Sequence, residues 1–182
     1  AAMHRRRRGQ RVRRVELAAL EAAAENDHLA PERIKRSADA LFRLVYLARD
    51  ARDPARLATL LGPELMLVWE RALDVYSAPG GHRRAEVLGD VQIDLVGLTR
   101  TPEEREMVIV LIEAELAVPV KDPHRARASP RDGPRIVPRL CQYWTLALCD
   151  GLWIAQAIEE RAEGDRHLTE PIVAQPGGTL RV

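Results

Sequence analysis

The chain has 182 residues, 46% of them hydrophobic and 30% charged, which is enough apolar side chain for one packed core; wholesale disorder, a collagen-like repeat and a disulfide scaffold are excluded. Its formal net charge of +1 conceals an asymmetry. Residues 1–14 hold seven arginines and no acid, and the other 21 of the 28 basic residues face 27 acidic ones, so a head of +7 precedes a body of −6.

In chain order, VRRVELAALEAAAE (residues 12–25) is rich in strong helix formers, and Val12, Val15 and Ala19, joined by Ala22 or Ala23, give it a thin apolar stripe. A second helix opens at Pro31, a favoured first helical residue, and runs to about Arg52, with Ile34, Ala38, Leu41, Val45 and Ala48 at the three–four spacing of a buried face. Asp53-Pro54 reads as an N-cap and first helical residue for a short helix carrying Leu57, Leu60 and Leu61. Gly62-Pro63 stops it and starts PELMLVWERALDVY, with Met66, Trp69, Leu73 and Tyr76 along one face. Ala78-Pro79-Gly80-Gly81 closes the helical half.

The period then changes from helical to alternating. EVLGDVQIDLVGLT sets Val87, Val91, Ile93 and Leu95 against Glu86, Asp90, Gln92 and Asp94, the pattern of a half-buried strand. MVIVLIEAELAV begins apolar on both faces, as a central strand covered on each side would. Residues 119–138, rich in proline and charge, read as a long mobile loop. LCQYWTLALC and LWIAQAIEE flank Asp150-Gly151, a pair that accepts positive φ at both turn positions and so predicts a hairpin. The tail is polar, with an apolar patch at Pro171, Ile172 and Val173. Helices first and antiparallel strands afterwards define an α+β domain, its helices on one face of a curved sheet of about four strands.

Cys141 and Cys149 share one predicted strand, about 26 Å apart at about 3.3 Å per residue, and cannot bridge. They read as small core hydrophobes. Two thiols without a CxxC pair and five scattered histidines predict no metal site and no cofactor. His28, His82 and His167 read as surface imidazoles of loops and tail. No window has the run of about 18 apolar residues that spans a bilayer, and no apolar segment follows the arginines as in a signal peptide.

The order of elements, Tyr143-Trp144-Thr145-Leu146, the Asp150-Gly151 turn, Trp153, Ile158-Glu159, Glu163-Gly164 and His167-Leu168 together resemble the Tim44-like domain family, of bacterial, actinobacterial type. The resemblance covers residues 31–173, with residues 1–30 as a basic N-terminal arm and 174–182 as a flexible tail. It departs at Gln142, where the family carries an acidic residue. It implies an NTF2-like cone and a non-catalytic scaffold role beside a membrane, of the protein translocation or membrane-protein assembly type. It also implies a place on the cytoplasmic face of the inner membrane, with an anchor upstream of residue 1.

Three groups of residues are candidates for chemistry. Arg5, Arg6, Arg7, Arg8, Arg11, Arg13 and Arg14 form a cluster suited to anionic lipid headgroups; nucleic acid is disfavoured because no aromatics interleave them. Trp69 and Leu73, set against Val110, Ile112, Trp144 and Ile154, would line a cone pocket for a hydrophobic ligand, or simply fill the core. Asp94, Glu113 and Glu115, with Tyr143 and His124 as partners, are the acids an isomerase or cyclase of the cone type would use as a base. That enzyme is the alternative to the scaffold, whose protein partner the sequence does not name.

Overall fold

The structure, a computed structural model, describes residues 2–75, 86–100, 105–118, 135–171 and 173–174, the side chains of residues 2, 4, 72–75, 100, 118, 135–138 and 173–174 excepted. Four helices precede the sheet: α1 (Ala2–Ala23), α2 (Pro31–Asp50), α3 (Pro54–Leu60) and α4 (Pro63–Val75), with a short 3-10 turn at Asp27–Leu29. Strands β1 (Glu86–Arg100), β2 (Glu106–Val118), β3 (Arg135–Cys149) and β4 (Leu152–Glu160) follow, then a helical turn α5 (Arg161–Gly164), a 3-10 turn (Asp165–Leu168) and a two-residue β5 (Val173–Ala174). The sheet order is β4-β3-β2-β1-β5, antiparallel except that β5 lies parallel to β1. The α+β class expected from the order of elements is the class observed.

Local chemistry accounts for the boundaries. Pro31, Pro54 and Pro63 each occupy a first helical position, and the Asp53 carboxylate accepts from the Arg56 N–H at 2.9 Å to cap α3. Asp150 and Gly151 turn the β3–β4 hairpin with φ of 51° and 79°, matching the right-handed twist of the paired strands. Pro138 falls within β3, which therefore starts at Arg135 and not after the expected loop; residues 119–134 lie outside the described residues. The register shifts between Ala114 and Leu116, where Pro138 and Arg139 stand opposite Glu115, and at such a bulge a proline costs no ladder bond.

The main core lies between the sheet and α2. Phe42 sits edge-on against Trp144 with ring centroids 5.4 Å apart, over Leu95, Val110, Ile112 and Leu146, all fully buried. Val15 and Ala19 of α1 are wholly buried in this same cluster. Residues 1–30, expected as an arm, thus contribute to the core. The opposite face of the sheet carries a smaller cluster of Val96, Leu111 and Tyr143, with Val12, Ile109, Cys141 and Leu168 packed on it. β2 is accordingly covered on both faces. α5 presses onto Tyr143 so closely that a Cβ on Gly164 would overlap the ring.

Candidate functional site

The arginine head is helical from Ala2, ten residues earlier than the apolar stripe predicts. The extension carries α1 onto the second face of the sheet and sorts the seven arginines into two groups. Arg8 and Arg11, one turn apart, point inward on the same side as Val12 and Val15. Arg5, Arg6, Arg7, Arg13 and Arg14 are exposed. The membrane-facing role expected of all seven is therefore open to five by geometry, because the other two are engaged inside the domain.

Arg8 bridges two strands. Its Nε donates to Asp94 on β1 at 2.7 Å and its Nη2 to Glu113 on β2 at 2.9 Å, with side-chain exposure of 17%, 21% and 12% for the three. Arg139 stands 3.8 Å from Glu113 and donates to Gln92 at 2.6 Å. Burial lowers the Arg8 pKa, but the bonds to Glu113 and Asp94 outweigh it and raise the group above its usual value. The hydrogen bond from Arg8 in turn holds the Glu113 carboxyl below its ordinary range, against the opposing effect of burial.

Arg11 acts on the backbone. It is 8% exposed, and its Nε donates to the Val96 carbonyl at 2.6 Å. Val96 is the extra residue of a bulge between Leu95 and Gly97, so its carbonyl has left the ladder and Arg11 satisfies it. The other two guanidinium nitrogens donate to the carbonyls of Glu170 and, at 3.4 Å, Pro171. One side chain thus ties α1 to β1 and to the segment entering β5. Burial, with the neighbouring charge of Arg14, lowers its pKa.

The outward side of α1 is different in kind. At three–four spacing it presents Met3, Arg6, Gln10, Arg13, Leu17 and Leu20, and Met3, Leu17 and Leu20 are 69%, 61% and 57% exposed. The five exposed arginines lie within the first 14 residues, on a helix with no acid in its first turn, so their mutual repulsion opposes them and the macrodipole opposes Arg5 at the positive end. A bound anionic surface would relieve both.

The expected pocket is not assembled as the sequence suggested. Val110, Ile112 and Trp144 are core side chains, and Phe42 of α2 occupies the face of Trp144. Trp69 lies half-buried at the rim, its ring 6.0 Å from the Arg49 guanidinium, which also stacks on Tyr46 at 4.4 Å. Ile154 pairs with Ala147 between two residues, Trp153 and Ala155, that belong to the main core, so alternation turns it to the other face. The side chain of Leu73 lies outside the described residues, as do Tyr76, His82 and His124. Among the acids, Asp94 and Glu113 are engaged by Arg8, Glu115 is exposed, and the Tyr143 hydroxyl donates to Asp165 at 2.8 Å. Burial and that bond raise the Tyr143 pKa.

Gln142 is buried on the helix side, donates to Glu160 at 2.8 Å and accepts from Trp144 Nε1 at 3.2 Å. The amide serves both neighbours at once, which a carboxylate beside Glu160 could not do without repulsion. His167 departs from expectation: it is 5% exposed, with Glu159 at 2.7 Å from Nε2 and Glu170 at 2.7 Å from Nδ1. The local pairing of His167 with Glu170 is an i,i+3 spacing readable in sequence; the contact with Glu159 depends on the turn between them. Both cysteines are free and half-buried, and burial, together with the charge of Glu113, raises the Cys141 thiol. Among the described residues no three His, Cys, Asp or Glu side chains are grouped to hold a metal ion, and no helix is long and apolar enough to cross a membrane.

No protein-family model and no curated protein sequence matches the chain. Among solved structures it is similar to the intermembrane space region of the chloroplast protein ARC6, at 9% identity over 69% of this chain and 95% of that one, with a TM-score of 0.46. It is also similar to Aln2 from a Streptomyces species, at 15% identity over 75% of this chain and 96% of that one, with a TM-score of 0.43.

Proposed function

We propose that this protein is a non-catalytic binding or scaffold module of the Tim44-like kind, built on an NTF2-like cone and working against an anionic membrane surface on the cytoplasmic side. The observation that carries the reading is the outward side of α1, where five exposed arginines precede exposed Leu17 and Leu20 on one helix. Exposed arginines of this kind attract anionic headgroups at about 1 kcal/mol per cation near the surface, and the exposed leucines beyond them add apolar contact. The acidic remainder of the molecule is repelled by the same surface and projects away from it, available to a protein partner. The alternative, an enzyme of the isomerase or cyclase type, would need a carboxylate base with a raised pKa facing a substrate. Glu113 is held low by Arg8 instead, which supports the non-catalytic reading.

Deleting residues 1–14 would remove Arg8, Arg11 and Val12 as well, and so confuse binding with folding. The informative variant changes only Arg5, Arg6, Arg7, Arg13 and Arg14 to Gln. Co-sedimentation with vesicles of neutral and of one-third anionic lipid should show retention of the wild type on the anionic vesicles alone at low salt. The variant should lose that retention. Wild-type protein left in the supernatant with anionic vesicles at low salt would sink the proposal.

A further inference from the structure

Glu159, His167, Glu170 and Arg166 form a closed ring of alternating charge on the sheet face that α1 covers. His167 Nε2 is 2.7 Å from Glu159 Oε2 and His167 Nδ1 is 2.7 Å from Glu170 Oε2. Arg166 closes the ring, with Nη2 at 2.5 Å from Glu159 Oε1 and Nε at 3.3 Å from Glu170 Oε1. Carboxylates only accept hydrogen bonds, so both imidazole nitrogens must carry protons for both contacts to be made. The ring is complete only around an imidazolium.

The quartet bears on α1 through one further residue. The Glu170 carbonyl, beside the carboxylate that His167 holds, accepts from Arg11, as does the carbonyl of Pro171. Leu168, next to His167, packs in the same small apolar cluster as Val12. We infer that protonated His167 is a clasp which holds the 165–171 segment against β4 and, through Arg11, holds α1 against the sheet. Loss of one proton from the ring turns a nitrogen lone pair toward a carboxylate. Two glutamates, one arginine and a neutral ring then remain, and the contact that has lost its hydrogen becomes repulsive.

Among the described residues, the other charged or titratable groups near the ring are Tyr143 of β3, with its ring centroid 5.7 Å away, Asp165, bonded to the Tyr143 hydroxyl, Glu163 of α5, whose charge acts on Arg166, and Arg11 of α1. Neither Tyr143 nor Arg11 can supply the missing proton without breaking a bond of its own. Burial raises the Glu159 pKa, but the hydrogen bonds from His167 and Arg166 outweigh it and hold the carboxyl below its usual range. The inference is independent of the membrane reading, since it concerns only whether α1 stays on the sheet.

The test follows the His167 ring nitrogens by nitrogen NMR through a pH titration, alongside amide exchange of α1 and of residues 165–171 corrected for intrinsic rates. In the wild type, protection of both segments should fall by about tenfold over the same pH step at which the ring loses its second proton. In Arg11→Gln the 165–171 segment should still loosen at that step while α1 shows none. In His167→Gln neither segment should show the step. A ring with one N–H on the acid side, or α1 protection unchanged through the titration, overturns the inference. An α1 step that persists in Arg11→Gln overturns the route through Arg11.

Discussion

Arg8 stands between two carboxylates on neighbouring strands, and its guanidinium is what keeps Asp94 and Glu113 from repelling one another. Replacing it with Met leaves the aliphatic stem but removes the fork. The expected cost is about 1–2 kcal/mol of unfolding free energy, modest because all three groups retain some contact with water. The pH dependence has a definite sign. The Glu113 pKa is lower in the folded state than in the unfolded chain, so its contribution is present above the unfolded carboxyl pKa and is lost as pH falls through the folded one. Urea titrations of wild type and Arg8→Met should therefore diverge most near neutrality and converge in acid. A constant difference down to about pH 3, below the ordinary carboxyl range, would show that Arg8 acts by packing and not by charge.

At the scale of the element, α1 is one helix with two opposed duties. Its inner side is tied by Val15, Ala19, Arg8 and Arg11, while its outer side carries five like charges between residues 5 and 14. Salt acts unequally on the two. Repulsion among exposed arginines is screened almost fully, whereas the partly buried bonds of Arg8 and Arg11 are screened much less. Raising salt from about 0.02 M to about 0.3 M should therefore slow amide exchange along residues 5–14. The variant with Arg5, Arg6, Arg7, Arg13 and Arg14 changed to Gln should be protected at low salt already and gain nothing. Faster wild-type exchange at high salt would mean that the ion pairs, and not the repulsion, dominate.

The same helix shows what could be read in advance. Its second half was legible from Val15 and Ala19, but its first half was hidden because Arg8 and Arg11 occupy positions where a buried stripe normally carries apolar residues. The spacing Arg8, Arg11, Val15, Ala19 is helical throughout; only the chemistry departs from the rule. The start of β3 was hidden in a similar way by Pro138, which argues against a strand unless the bulge opposite Glu115 is known. Asp150-Gly151 was legible because a hairpin turn is local. The quartet around His167 was not, since Glu159 comes from a strand and reaches the ring only when α5 turns the chain back across Tyr143.

At the scale of the whole molecule, the split between a +7 head and a −6 body survives folding in reduced form. Arg8 and Arg11 are spent within the domain, so the outward charge of the head is that of five exposed arginines along α1, set against a remainder that is net acidic. A nearly neutral molecule with separated charge repels its copies weakly overall and attracts them in head-to-body orientations. The range of that attraction is the screening length, about 30 Å at 0.01 M salt and about 8 Å at 0.15 M. Static light scattering should accordingly give a negative second virial coefficient at about 0.01 M salt that rises toward zero or above by about 0.15 M. Changing the five exposed arginines to Gln should reverse the trend, because the variant carries net negative charge without a positive patch and repels its copies most at low salt. A positive coefficient for the wild type at about 0.01 M, falling as salt is added, would mean that the outward arginines do not form a separate pole, and with that the basis for an oriented encounter with an anionic surface would be gone.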